Sequence, residues 1–314
     1  MAELLEHETA GDPMSGLKWT RKSTVKIAEH LQQLAIPVCP NTVSRLLYGM
    51  GYSLRVNQKT LESGNKNPPP RPVRNRQFHY IGQQREQFCA RKSPVISVDT
   101  KKKELIGSFK NVGRSWEQEA WRVKDHDFRS DADGRLIPYG IYDTKANHGF
   151  VVCGTQRETP AFAVDSIVLW WDSCGRHLYD KATELLILAD CGGGNSARAR
   201  AWKFHLQKRL CDPYQIAITV CHYPPGASKW NPIEHRLFSE ISKNWAGRPL
   251  DSYETATHYI RTTATSSGLR VRARLHRRNY ETGERIGDAQ FHQLLLRPHN
   301  TFPHWNYTLT PSTM

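Results

Sequence analysis

Three carboxylates in the chain stand where metal-dependent chemistry would need them. PVISVDT (94–100) is a short apolar run ending in Asp99, and ELLILAD (184–190) is a second one ending in Asp190. In open α/β sheets, ligands collect at the ends of strands. Two carboxylates at neighbouring strand ends repel each other, and a divalent cation removes that cost. A hard ion such as Mg²⁺ takes oxygen ligands, often only one or two carboxylates with waters and substrate phosphates. Glu234, in KWNPIEHRLFSEI (229–241), adds a third carboxylate from a helical pattern. Three such groups allow two ions, which at a spacing of about 3.5–4 Å activate an attacking oxygen and neutralise a leaving oxygen of a phosphodiester.

Each residue also has a plain structural reading. Asp99 before Thr100 suits a turn, and Asp190 before CGGGN suits the start of a loop. Asn231 fits an N-cap, Pro232 the first helical position, and Glu234 the third, where a carboxylate reaches back to the cap. Ile233, Leu237 and Ile241 then define one apolar face. What favours chemistry is the joint order of Asp, Asp and Glu on strand, strand and helix. Gly192-Gly-Gly194 lacks a Walker lysine and reads as a flexible turn. Asn195 contacts substrate or caps a helix from Ser196, the cap being favoured. His222 and His235 orient water or phosphate, or serve structure, which is favoured.

The elements that must hold these groups are legible as alternating patterns. After PVISVDT, LIPYGIYDT (136–144) and GFVVCGT (149–155) predict a hairpin, and AFAVDSIVLWWDSC (161–174) predicts a helix. ELLILAD follows, then a helix from Ser196 to about Leu210, a strand QIAITVCH (215–222) and the Glu234 helix. The order β, β, β, α, β, α, β, α predicts an α/β fold with a ribonuclease-H-like mixed sheet flanked by helices. Residues 101–133 interrupt it as a polar insertion.

Upstream, STVKIAEHLQQL and NTVSRLLYGMG predict two short helices, the first capped by Ser/Thr and the second opening on Asn41. With Thr42, Ser44 and Arg45 on the second helix, they fit a small helix-turn-helix domain that binds DNA. The expected organisation is a disordered start (1–14), a helix-turn-helix domain (15–60), a basic linker and helix (61–92), the catalytic domain (93–266) and an Arg-rich extension (267–314).

Composition agrees with a polyanionic partner. The 314 residues carry 44 Lys+Arg against 30 Asp+Glu, a net charge of +14, an excess that draws a protein to nucleic acid. Lys101, Lys102 and Lys103 follow Asp99 closely and are candidate DNA contacts. In LRVRARL (269–275), strict alternation puts Arg270, Arg272 and Arg274 on one face of a strand, suited to a phosphate backbone or to protecting a sheet edge. Trp116, Trp121, Trp230 and Trp245 stack on bases or anchor packing, the second being commoner. Seven scattered cysteines without a CxxC pair argue against a disulfide framework and a zinc site. Apolar runs too short to span a bilayer and an N-terminus without a signal pattern predict a cytoplasmic protein.

ISVDTKKKELIGSFKNVGR, HDF (126–128), ILADCGGGNSARARAWK, CHYPPGASKWNPIEHRLFSEI and HWNY (304–307) together resemble the Rhodopirellula-type (ISAzo-type) DDE transposases of bacterial insertion sequences. The likeness runs from about residue 15 to 310, and NPIEHRLFSEI also resembles the wider mariner-like group. It implies a ribonuclease-H-like catalytic domain with Asp99, Asp190 and Glu234 as the metal-binding triad and two Mg²⁺ or Mn²⁺ ions. It implies hydrolysis at element ends, strand transfer into target DNA, and a homo-oligomer on DNA, nucleoid-associated when bound. Members carry more helical sequence before KWTRKST, so a shortened end-recognition region is expected here. A DNA-binding remnant or repressor without catalysis, and a nuclease that cuts without joining, stay as alternatives.

Overall fold

Val95, Ile96 and Val98 form a β-favouring run between Pro94 and the lysines after Thr100, and Val95–Thr100 is strand β1 at the centre of the sheet. The computed structural model describes residues 10–11, 18–19, 23–54, 69–227 and 230–312. The chain divides into two units, Met1–Leu61 and Glu62–Met314.

In the first unit, helices α1 (Thr24–Gln33) and α2 (Pro40–Gly49) bury Ile27, Ala28, Leu31 and Val43 in a small core. Ser23 caps α1 by accepting from the Lys26 N–H, as its position predicts. Asn41 does not open α2: the helix starts at Pro40, which suits a first position without a free N–H. Ala10–Gly11 pairs with Lys18–Trp19. The rest of the expected disordered start lies outside the described residues.

The second unit begins, among its described residues, with α3 (Arg71–Ala90), within the span expected to hold a linker and helix. After β1 come β2 (Glu104–Ile106), β3 (Gly134–Asp143), β4 (His148–Gly154), α4 (Pro160–Trp170) and β5 (Glu184–Ala189). Then follow α5 (Arg200–His205), β6 (Ala217–His222), α6 (Ser239–Asn244) and α7 (Tyr253–Arg261). Last are β7 (Arg270–His276), α8 (Asp288–His292), β8 (Leu296–Pro298) and β9 (Asn306–Leu309). The sheet order is β8-β9-β6-β5-β1-β3-β4-β7, with β2 pairing β3. β1, β3 and β4 are antiparallel neighbours, while β5 and β6 run parallel to β1. This is the expected ribonuclease-H-like mixed sheet flanked by helices.

Several expectations shift. The helix predicted from Ser196 starts at Arg200, after a 3₁₀ turn over Gly193–Asn195. The insertion 101–133 contributes β2, which pairs back onto β3. Residues 267–314 are no appendage, since β7, β8 and β9 are strands of the same sheet. No described helix is long and apolar enough to cross a membrane.

Strand alternation decides which face the chemistry occupies. Ile96 and Val98 of β1, with Leu185, Ile187 and Ala189 of β5, join the core under α4 and α5. Val95, Leu186 and Leu188 pack on the opposite face beneath α3. By the same alternation Ser97, Asp99 and Asp190 belong to that opposite face. There Ile233, Leu237 and Ile241, all fully buried, seat the Glu234 helix, each worth about 1.5–3 kcal/mol of burial.

Candidate active site

β1 and β5 pair in parallel with Val98 opposite Ala189, so the next residues, Asp99 and Asp190, stand side by side. Neighbouring strands lie about 4.8 Å apart. The two carboxylates therefore share one end and one face of the sheet. Burial pushes the Asp99 carboxyl up to about 9, with the charges of Asp190 and Glu234 adding to it. The Thr100 N–H, donating to Asp99 Oδ1 at 2.7 Å, opposes the shift. Burial also raises Asp190, against the Gly192 amide and the Asn195 side chain, which favour its ionised form.

Glu234 arrives from the first turn of its helix, where Glu234–Phe238 forms a π-helical stretch ahead of α6. Burial raises its pKa, while His235, Lys101 and a hydrogen bond with Asp99 lower it. The close approach depends on Gly140, which pairs with Asp99 across the β1–β3 ladder. A Cβ on Gly140 would lie 2.8 Å from Phe238 Cζ and 2.9 Å from Ile233 Cδ1. Only a residue without a side chain lets the helix sit this low on the sheet.

Asn231 stands directly before the helix, as expected, and its carbonyl accepts from the Glu234 N–H at 3.1 Å, but its side chain makes no cap. Asn231 is fully buried, and its side chain bonds to β1 rather than to its own helix, accepting from Ser97 Oγ and donating to the Val98 carbonyl at 3.2 Å. Ser97 Oγ takes over the capping acceptor role, receiving the Ile233 N–H at 3.2 Å. Asn195 likewise caps nothing: it is buried, and its Oδ1 accepts from the Tyr139 hydroxyl at 2.7 Å. His222 is also internal, with Nδ1 2.8 Å from the Asp190 carbonyl and Nε2 3.3 Å from the Tyr307 hydroxyl. Burial pushes its pKa down to about 4, so it is neutral. His235 is exposed beside Glu234.

Asp99 and Asp190 line an open groove of about 600 Å³ together with Lys102, Lys103 and Glu158. Glu158 is a group that sequence patterns did not single out. It ion-pairs with Lys103 at 2.6 Å, accepts from the Gly194 N–H at 3.3 Å, and its charge adds to the shifts of Asp99 and Asp190. The glycine triplet is held here: Gly193 has φ +53°, and a side chain on it would strike Glu158. A Glu immediately before a Thr-Pro helix start was the one available signal.

The DNA-contact candidates separate. Lys101 is buried, with Nζ 2.9 Å from Glu104 and 4.5 Å above the Trp245 ring centroid. It is a packed lysine in the wall of the groove. Lys102 is exposed at the groove. Arg270, Arg272 and Arg274 project outward on the edge strand β7, whose Val271 is buried on the other face. In the first unit Arg45 is exposed and Thr42 and Ser44 are half-buried. Trp245 is an anchor, whereas Trp116, Trp121 and Trp230 are exposed.

Among the described residues no three His, Cys, Asp or Glu side chains form a ready-made metal cage. The donor set nevertheless fits a hard cation. Asp190 Oδ1 is buried without a hydrogen-bond partner, beside a second carboxylate that burial and repulsion disfavour as an anion. Two carboxylates suffice for Mg²⁺ when water and phosphate complete the shell.

The topology defines a ribonuclease-H-like α/β protein. The Rhodopirellula transposase DDE domain family matches residues 1–311, and the chain belongs to that family. Among solved structures it is similar to the Mos1 transposase paired-end complex with the left transposon end, at 14% identity over 76% of this chain and 65% of that one, TM-score 0.45. It is similar to the Mos1 mariner paired-end complex with Mn at 16% identity, 76% and 65% coverage and TM-score 0.45. It is similar to the Mos1 strand transfer complex at 15% identity, 76% and 64% coverage and TM-score 0.45. The chain spans about 65% of the length of the first of these. No curated protein matches it.

Proposed function

We propose that the protein is a DNA transposase that hydrolyses phosphodiesters at insertion-sequence ends and joins the freed ends to target DNA. The observation that carries this reading is the juxtaposition of Asp99 and Asp190 on adjacent parallel strands, with Glu234 near enough for its charge to raise Asp99, in a member of a DDE transposase family.

Asp99 and Asp190 are the residues that would hold Mg²⁺ or Mn²⁺, with Glu234 completing a site for two ions. Bound there, such ions lower the pKa of an attacking oxygen and neutralise the leaving one. The chain's own part is alignment. Strand register fixes the two aspartates, the helix aims Glu234, and Asn195 orients Asp190. Lys102 and Lys103 draw the phosphate backbone into the groove, the Arg270, Arg272 and Arg274 stripe holds DNA along the sheet edge, and the Thr42, Ser44 and Arg45 helix of the first unit binds DNA in its own right. Two DNA ends require two such sites, so the working form is a homo-oligomer on DNA.

Incubation with labelled element ends and Mg²⁺ tests this reading. Wild type is expected to cleave and then join, and Asp99→Ala, Asp190→Ala and Glu234→Ala to bind without cleaving. Binding by wild type with no cleavage would contradict it and leave a DNA-binding repressor; cleavage without joined product would leave a nuclease.

A further inference from the structure

We infer that Ser97 and Asn231 form a positioning clasp that sets the Glu234 carboxylate against Asp99, an inference that rests on the reading of these carboxylates given above. Three hydrogen bonds make the clasp. Asn231 Oδ1 accepts from the Ser97 hydroxyl, Asn231 Nδ2 donates to the Val98 carbonyl at 3.2 Å, and Ser97 Oγ accepts from the Ile233 N–H at 3.2 Å. Both side chains are fully buried.

The placement of these bonds is what distinguishes a positioning role from general cohesion. Ser97 lies two residues before Asp99, so both side chains leave the same face of β1. Asn231 lies three residues before Glu234, close to one helical turn. The clasp joins strand to helix one step behind Asp99 on the strand and Glu234 on the helix. Apolar contact from Ile233, Leu237 and Phe238 holds the helix down, but such contact is non-directional and permits sliding. Hydrogen bonds prefer a narrow range of length and angle, so the clasp fixes the distance. An Asn231 that capped its own helix would stabilise the helix equally well without any reference to Asp99. Here the acceptor for the Ile233 N–H comes from the strand, so helix start and strand end move together.

Hydrogen exchange and cleavage kinetics on the full chain test the clasp through Ser97→Ala and Ser97→Thr. Ser97→Ala is expected to fold and to bind end DNA as wild type does. Its Ile233 and Glu234 amides should exchange at least about tenfold faster, and its kcat for cleavage should fall roughly 100-fold with KM unchanged, the loss typical of a misplaced catalytic group. Ser97→Thr keeps the hydroxyl and should restore both values to within about threefold of wild type, well inside that loss. Should Ser97→Ala not fold, Asn231→Asp, which keeps the acceptor and loses the donor to Val98, should show the same faster exchange to a smaller degree. Wild-type exchange at Ile233 and Glu234 in the folded variant, or equal behaviour of Ser97→Ala and Ser97→Thr, would overturn the inference. Amide exchange needs neither DNA nor metal, so it decides the clasp even if wild type does not cleave, an outcome that would count against the proposed function alone.

Discussion

Asp99 and Asp190 extend a parallel ladder in which Val98 already faces Ala189, so two carboxylates sit one strand spacing apart on one face of the sheet. Without a cation this arrangement opposes folding. Asp99 moves from an ordinary 3.8 to about 9, so the folded chain binds a proton that the unfolded chain releases. Stability from this group is full below pH ~4 and is lost as pH rises toward 9. In EDTA at pH 8, Asp99→Asn should therefore raise Tm by roughly 2–6 °C. An Asp99→Asn variant that melts at or below the wild-type temperature would contradict the repulsion.

Divalent cation should reverse that ranking. Mg²⁺ or Mn²⁺ at about 100-fold over its dissociation constant adds about 2.7 kcal/mol to a fold that binds it. Wild type should gain several degrees on going from EDTA to metal, and Asp99→Asn/Asp190→Asn should gain none. Equal gains in both proteins, read by differential scanning calorimetry, would move the metal elsewhere.

Gly140 allows the Glu234 helix to lie against the strand that carries Asp99. A methyl group there meets Phe238 and Ile233, so Gly140→Ala should push the helix outward. The expected result is a folded protein with end-DNA affinity intact and cleavage lowered about 100-fold. Wild-type cleavage would show that the close approach is dispensable.

His222 governs part of the acid limb. It titrates at about 4 in the fold against 6.5 when free, so the unfolded chain takes up a proton first, and stability drops as pH falls from ~6.5 toward 4. Urea unfolding at pH 7 and pH 5 should show a smaller loss in His222→Gln than in wild type. An identical loss would mean that another group controls that window.

The edge-strand arginines and Lys101 should part company in a salt titration. Replacing Arg270, Arg272 and Arg274 by Ala should flatten the dependence of log K on log salt by roughly 2–3, about 0.9 for each lost phosphate contact. Lys101→Ala should leave the slope unchanged and lower Tm, because its ammonium is packed on Trp245 and paired with Glu104. A slope unaffected by the arginine changes would return the stripe to edge protection.

Much of the sheet was legible because short β-branched runs ending in a polar residue have few other uses, and PVISVDT and ELLILAD are both of that kind. What was illegible depends on partners distant in the chain. Asn231 before Pro232 and Glu234 reads locally as a cap, but its partner Ser97 lies 134 residues away. Asn195 is hidden in the same way, its partner Tyr139 being 56 residues distant. The packing of Lys101 is hidden because charge is visible in sequence while the Trp245 ring beneath its ammonium is not. Strands β8 and β9, with 3 and 4 residues, are too short to display a period, so the C-terminal region looked like an extension. Glu158 carried no pattern and emerged only from its neighbours.

In the proposed function Asp99 and Asp190 jointly bind the catalytic cation. Anomalous diffraction from crystals grown with Mn²⁺ and end DNA measures this directly. The account predicts a Mn²⁺ peak within bonding distance, about 2.0–2.3 Å, of an oxygen from each aspartate. A Mn²⁺ peak elsewhere with none between these two residues would contradict it.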